Sequence, residues 1–422
     1  MGGGWSLTPR PPWKGRRIVL GVTGGIAAYK SVQVARDLAL LGAQVDVVMT
    51  EAARNFVGPL SFEGVTGRRV ADSLWSAEGS ALHISLGRDA DLLVVAPATA
   101  DFMARAAQGR ADDLLTTTLL ATRAPVLLAP AMNHRMWDHP QTRANVEHCR
   151  ERLGYHIVGP HAGRLGAGEG SGVGRMVEPG EVTEWCGRLL DGEPRALRGR
   201  RIILTAGPTR EPLDPVRFVG NRSSGRMGFC LAREAWLRGA EVILISGPSA
   251  LPDPIGITVI RVETAQEMLK AVRFHGRDAD VAIYAAAVSD YRPANPSDRK
   301  TRKLDAGNRF TMEMEENPDI AAETRDLTPL GGVRVGFALE TEDLLERARA
   351  KLLRKGFHLI VANPANEPDS GFDVETNRVI LLREAGDPER HPLLSKEEVA
   401  ALILDRVEDL LVEGGSGPGN PA

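Results

Sequence analysis

The chain has 422 residues, 25% of them charged and 43% hydrophobic, with a formal net charge of -3. That length exceeds one typical core and implies two or three domains, while the near-neutral charge excludes a nucleic-acid binder as a class. No apolar run reaches the roughly 18–20 residues of a membrane span, and the N-terminal Gly2-Gly3-Gly4 stretch carries no apolar signal region. Cys149, Cys186 and Cys230 lie far apart without CxxC spacing. They form neither a disulfide framework nor a zinc site and fit a reducing cytoplasm.

Residues 1–14 are expected to be a flexible tail. The apolar run Arg17-Ile-Val-Leu-Gly-Val22 then reads as a buried strand, followed by Thr23-Gly24-Gly25 and an amphipathic helix to Leu41. Further apolar runs at 45–49, 92–96 and 126–129 alternate with helical segments, the pattern of a parallel, doubly wound α/β sheet over 15–190. Ligands of such sheets bind outside the carboxyl ends of the strands. Here those ends carry Gly24-Gly25, Thr50, Ala96-Pro-Ala-Thr-Ala100 and Pro130-Ala-Met-Asn133. Residues 191–198 loosen into a linker.

A second series of runs, at 202–206, 241–246, 258–262, 281–286, 333–338 and 359–362, predicts a Rossmann-like α/β domain over 199–413. Residues 374–382 alternate in polarity and suit a hairpin at the sheet edge. The last helix is expected over 395–413, with Ser395 and Glu398 forming a capping box. Residues 414–422, rich in Gly, Pro and Ser, are expected to be disordered.

Several residues admit two readings. Gly21-Val-Thr-Gly24-Gly25 is not the GxGxxG fingerprint, and the second strand ends in Thr50 where an acid would hold a ribose hydroxyl, so a mononucleotide fits better than NAD. Close helix–strand packing explains such glycines equally well. His83, followed by Ile84-Ser85-Leu86, reads alone as a structural histidine as readily as a functional one. Asn133 serves as a turn residue or helix cap, or as a ligand contact. Lys351 and Lys355 share one helical face, which is either a solvated face at a helix C-terminus or part of a site. The basic run Arg299-Lys-Thr-Arg-Lys303 has the composition of a solvated loop. Residues 205–228 end a strand at Gly207-Pro208, continue as a stiff proline-containing loop and reach Gly220-Asn-Arg-Ser-Ser-Gly-Arg-Met-Gly228 before a helix, a setting that suits an anion.

The order of residues in 205–228 closely resembles the signature loop of phosphopantothenate–cysteine ligase. That enzyme is commonly fused behind a flavin-dependent phosphopantothenoylcysteine decarboxylase, and His83, the 96–100 cluster and the 130–133 cluster resemble that decarboxylase family. The first resemblance covers about 199–412 and the second about 15–190. For the first half it implies a flavodoxin-like sheet that binds FMN at the interfaces of a trimer. Gly24, Gly25, Thr50 and Thr99 would border the flavin phosphate and ribityl chain, and Met132 the ring system. Asn133 would hold the substrate carboxylate, and His83 would exchange a proton while the cysteine thiol is oxidised.

For the second half the resemblance implies activation of a carboxylate by CTP as an acyl-cytidylate, from which the cysteine amine displaces CMP. Asn221 would stabilise that step. Asp290 would contact the nucleotide or Mg2+, Phe337 the cytosine, and Lys351, Lys355 and Asn363 the same pocket. The lysine of the family's mobile flap corresponds to Lys303 or, with a one-residue shift, Lys300. Ligase dimers and flavin-domain trimers together imply a homododecamer that acts on 4'-phosphopantothenate, cysteine and CTP, with neither nucleic acid nor membrane as partner.

One departure stands out. The decarboxylase flap usually carries a cysteine, whereas Arg164-Leu-Gly-Ala-Gly-Glu-Gly-Ser-Gly-Val-Gly-Arg-Met176 has Ala167 or Gly168 there. Glu169 or a bound water is the expected proton donor in its place; its glycines also suit a passive lid. The alternatives are a first half that is inactive or stops at the ene-thiol, and, further off, a regulatory flavoprotein or a generic NAD(P) oxidoreductase.

Overall fold

The computed structural model describes residues 7–75, 81–166, 168, 170–191, 195–300, 311–329, 331–340, 342–364, 371 and 374–415. Ala167, Glu169 and Lys303 lie outside the described residues, as does most of the 414–422 tail. The chain divides into two compact units, Met1–Gly192 and Glu193–Ala422. The described part of the expected flexible tail, from Leu7 on, is instead packed against the rest of the first unit: Trp13 is fully buried and donates its indole N–H to the Thr183 carbonyl (3.1 Å).

The first unit is built on five parallel strands, β1 (Arg17–Val22), β2 (Gln44–Met49), β3 (Leu92–Ala98), β4 (Val126–Pro130) and β5 (His156–Ile157), in the order β2-β1-β3-β4-β5. This is the flavodoxin-like order. Both faces of the sheet are covered, so its inner strands read as unbroken apolar runs; every residue of β3 is buried. On one face Val19, Val48, Leu93, Val95 and Leu128 pack against Leu86, Phe102, Met103, Leu115 and Cys149. Burial pushes the Cys149 thiol up to about 11 and raises that of Cys186, so both are inert packing residues. The short β5 escaped the sequence reading because two residues carry no period. A hairpin follows it, with β6 (His161–Arg164) antiparallel to β7 (Ser171–Arg175).

The second unit holds β8 (Arg201–Ala206), the small hairpin β9 (Arg210–Pro212) and β10 (Phe218–Gly220), β11 (Glu241–Ser246), β12 (Thr258–Arg261) and β13 (Val281–Tyr284). It continues with the ribbon β14 (Tyr291–Pro293) and β15 (Met314–Glu316), then β16 (Val333–Glu340), β17 (Leu359–Pro364), β18 (Thr376–Arg383) and β19 (Glu389–Ser395). The main sheet runs β12-β11-β8-β13-β16-β17-β18-β19. Its first six strands are parallel in the Rossmann order, and β18 and β19 add an antiparallel edge. Two expectations sharpen here. The stiff loop after β8 contains a hairpin, and the predicted edge hairpin is longer, its second strand being β19. The final helix, Lys396–Gly415, opens on the expected capping box: the Glu398 N–H donates to the Ser395 hydroxyl (3.2 Å) and the Ser395 N–H to the Glu398 carboxylate (2.8 Å).

Candidate functional sites

The first site gathers at the carboxyl edge of the first sheet. Thr23, Thr50, Thr99, Met132 and Asn133 follow four successive strand ends. With Gly24, Gly25, Lys30 and parts of the β6–β7 hairpin they line a cavity of 1110 Å³. Thr23 and Thr99 come from β1 and β3, the strands flanking the point where the winding direction reverses. The Thr23 hydroxyl donates to the Pro97 carbonyl (2.7 Å) and accepts from the Thr99 N–H (3.3 Å). Thr99 in turn caps the helix Ala100–Gln108 by accepting from the Phe102 N–H (3.3 Å).

The two glycines separate here. A Cβ on Gly24 would lie 2.5 Å from the Ala52 methyl and 2.8 Å from its backbone, so packing alone demands glycine. A Cβ on Gly25 would meet only the Thr99 methyl at 3.4 Å, so packing does not account for it.

The β7 strand lies directly on the loop after β4. The Met132 N–H donates to the Gly174 carbonyl (3.0 Å). A Cβ would come 2.2 Å from the Met132 carbonyl oxygen at Gly174, and 2.6 Å from the His134 Cβ at Gly172. These two flap glycines are therefore contact residues, whereas Gly168 and Gly170 adopt left-handed φ of 81° and 75° with open space around them. Lys30, overlooked in the sequence, anchors the hairpin's exit: its buried ammonium donates to the Met176 carbonyl (3.0 Å) and the Glu178 carboxylate (3.1 Å). Burial would raise the Glu178 carboxyl, but Lys30 and then Arg175 hold it below the usual range. Asn133 lines the cavity and also caps the helix His134–Asp138, accepting from the Arg135 N–H (2.9 Å). His83 stands apart. It is half-buried on the helix Leu82–Asp89, which packs against Leu114–Ala121, and it does not line the cavity of its own chain.

In the second unit six of the predicted residues converge within one chain. Asn221, Asp290, Phe337, Lys351, Lys355 and Asn363 all line a cavity of 740 Å³. It adjoins a recess of 370 Å³ that shares Asp290, Phe337, Lys351 and Lys355. Asn221 follows β10 and donates its side-chain amide to the Val288 carbonyl (2.9 Å), tying the hairpin to the segment after β13. A Cβ on Gly228 would sit 2.5 Å from the Ala206 methyl, so the helix Arg226–Leu237 starts hard against the end of β8.

Lys351 and Lys355 lie on the cavity side of the helix Leu344–Lys355, which decides against a fully solvated face. Lys355 pairs with Asp319 at 2.9 Å. Burial, followed by the neighbouring Lys355 charge, lowers the Lys351 ammonium from its ordinary value. Asp290 is exposed, and among the described residues no group of three His, Cys, Asp or Glu side chains is placed to hold a metal. Lys300 is exposed and does not line the cavity.

Residues 8–190 match the family model described as "Flavoprotein", and residues 197–411 match "DNA/pantothenate metabolism flavoprotein C-terminal domain". The Coenzyme A biosynthesis bifunctional protein CoaBC of Vibrio vulnificus (strain YJ016) is 44% identical over 399 residues, covering 94% of this chain and 98% of that protein. The chain belongs to the CoaBC family. It is a bifunctional enzyme of coenzyme A biosynthesis with a flavoprotein domain as its first unit. The CoaBC protein of Mycobacterium bovis is 45% identical over 409 residues, covering 94% of this chain and 97% of that protein. The solved C-terminal domain of a CoaBC protein is 41% identical with a TM-score of 0.44, covering 52% of this chain and 99% of that one.

The second site also holds residues the sequence reading missed. Asn317, Pro318, Asp319, Tyr284 and Phe357 wall the recess. Asn317-Pro318 is a turn signal, and Asp319 caps the following short helix by accepting from the Ala322 N–H (3.2 Å), so a local cue was available. Asn377 and Lys396, both buried, had no such cue. The antiparallel β18 begins where β17 ends, and β19 returns to the same edge, so topology alone brings them beside Asn363.

Proposed function

We propose that the second unit joins 4'-phosphopantothenate to cysteine with CTP and that the first, with FMN bound, decarboxylates the product to 4'-phosphopantetheine. The observation that carries the ligase half is the union of a partly enclosed recess with a cation-lined cavity, the shape and charge that a nucleoside and its phosphates need. Lys351, Lys355 and the helix start near Ser223 and Ser224 would neutralise phosphate oxygens. Asn221, held against Val288, would donate toward the acyl-cytidylate. Mg2+ suits Asp290 as a single carboxylate, because this ion is commonly bound through one or two carboxylates plus substrate phosphates.

For the first unit, Gly25 fits a close approach by the FMN phosphate, since no neighbouring atom requires glycine there. Bound flavin would supply the oxidation that turns the cysteine thiol into an electron sink for loss of CO2. Asn133 would orient the substrate carboxylate and His83 would move the proton. The distance of His83 from its own chain's cavity supports a trimer in which a neighbouring copy supplies it. Such trimers, joined by ligase dimers, would form a cytoplasmic homododecamer.

One observation favours a second reading in which decarboxylation stops at the ene-thiol. The flap position that carries a cysteine in the family holds none here, and Cys149 and Cys186 are fully buried elsewhere in the unit. Completion of the reduction would then fall to Glu169 or a water. The purified protein should be yellow with FMN and release pyrophosphate from CTP when both substrates are supplied. A protein that takes up no flavin, or that uses ATP at an equal rate, would contradict the corresponding half.

A further inference from the structure

Behind the recess of the second unit lies a charge that the proposed reaction does not use. Arg334, the second residue of β16, between Val333 and Val335, is 3% exposed. Its guanidinium donates to the Thr324 carbonyl (2.9 Å), the Ala321 carbonyl and the Tyr284 hydroxyl (3.2 Å). It also lies 5.1 Å from the Tyr284 ring centroid and 5.9 Å from that of Phe357. Among the described residues no carboxylate pairs with it, and its Nε is buried without a partner. The Tyr284 and Thr324 hydroxyls are 2.7 Å apart, and Thr324 passes the chain of bonds to the Ile320 carbonyl (2.6 Å).

A buried cation without a counter-ion is costly, and an apolar side chain of similar size would fill a strand interior at lower cost. What distinguishes Arg334 is where its partners lie. Tyr284, Ala321 and Phe357 all wall the recess, and Thr324 ends the short helix Ile320–Glu323 that follows Asn317-Pro318-Asp319. A planar fork of donors can hold two carbonyls and a phenol in fixed relation, which a flexible ammonium cannot.

We propose that Arg334 is a positioning residue for the nucleotide, bracing the 317–321 turn and the Tyr284 and Phe357 rings so that the recess keeps its width for the nucleoside. This inference rests on the assignment of the recess to the nucleotide. It predicts a selective effect: loss of Arg334 weakens nucleotide capture and leaves the other two substrates untouched.

The test is steady-state ligation by the full-length enzyme carrying Arg334→Met or Arg334→Lys. Arg334→Met should raise KM for CTP at least tenfold while kcat and the KM values for cysteine and 4'-phosphopantothenate stay within threefold. Arg334→Lys should fall between it and the unaltered enzyme. An unchanged KM for CTP, or an equal rise in all three KM values, would overturn the proposal. If Arg334→Met does not fold, Tyr284→Phe decides. It removes only the bridging hydroxyl and should raise KM for CTP severalfold; no change there overturns the proposal equally. If the unaltered enzyme shows no preference for CTP, the assignment of the recess fails first. A CTP-dependent enzyme with an indifferent Arg334→Met variant removes Arg334 alone.

Discussion

The two sites differ in what they are made of. The flavin-unit cavity is walled in good part by strand ends and small residues, and several of the cations that reach it are paired within the protein: Arg105 with Asp101, Asp112 and Asp113, and Lys30 and Arg175 with Glu178. The ligase-unit cavity instead gathers Arg226, Arg347, Lys351, Arg354, Lys355 and Lys396 around a few carboxylates. A flat conjugated ring is held by shape and backbone, whereas a polyphosphate has to be neutralised. The sites also differ in completeness. One chain assembles Asn221, Asp290, Phe337 and Lys351 around a single cavity, yet does not bring His83 into the lining of the cavity that Asn133 and Met132 share. On this account decarboxylation depends on association between copies, and nucleotide binding does so far less.

The sharpest way to break that contrast is His83→Asn. It should lower CO2 release by about 10³-fold, the scale of a lost general acid–base group, while ligation stays within twofold. Co-assembled with an inactive Asn133 variant, it should regain part of the activity if one site draws on two copies; no recovery would place both residues in one chain's site. Next in size is Asn221→Asp. Losing one donor to a developing charge should slow ligation about 10²-fold, with the flavin absorbance unchanged. Normal ligation would remove Asn221 from the chemistry.

The smallest effect concerns pH. Burial and Lys355 lower the Lys351 ammonium, so it loses its proton at a lower pH than an ordinary lysine. The protonated form is the one that attracts phosphate, so KM for CTP should begin to rise with pH below the ordinary lysine range. That early rise should vanish in Lys351→Met, and its persistence there would assign it to another group.

Much of this was legible in the chain itself, because strand ends and helix starts leave local marks. The apolar runs placed the parallel strands, and the clusters at their ends placed Thr23 through Asn133 around one cavity. What stayed hidden depended on returning segments. Lys396 reads as an ordinary first residue of a surface helix until β18 and β19 bring it back to the carboxyl edge. Gly24 and Gly25 are indistinguishable by type, and only the position of Ala52 shows that one answers to packing and the other does not. Arg334 interrupts an otherwise apolar strand with no local cue to its purpose, because its carbonyl partners come from a short helix and its C-cap ten or more residues earlier.

The central claim is that one chain carries out both reactions in sequence, and product analysis tests it most directly. The enzyme, with FMN, is given 4'-phosphopantothenate, cysteine and CTP, and the products are identified by mass. The account predicts CMP, pyrophosphate, CO2 and a decarboxylated thiol, either 4'-phosphopantetheine or its ene-thiol precursor. Accumulation of phosphopantothenoylcysteine without CO2, or no amide formation at all, would contradict it.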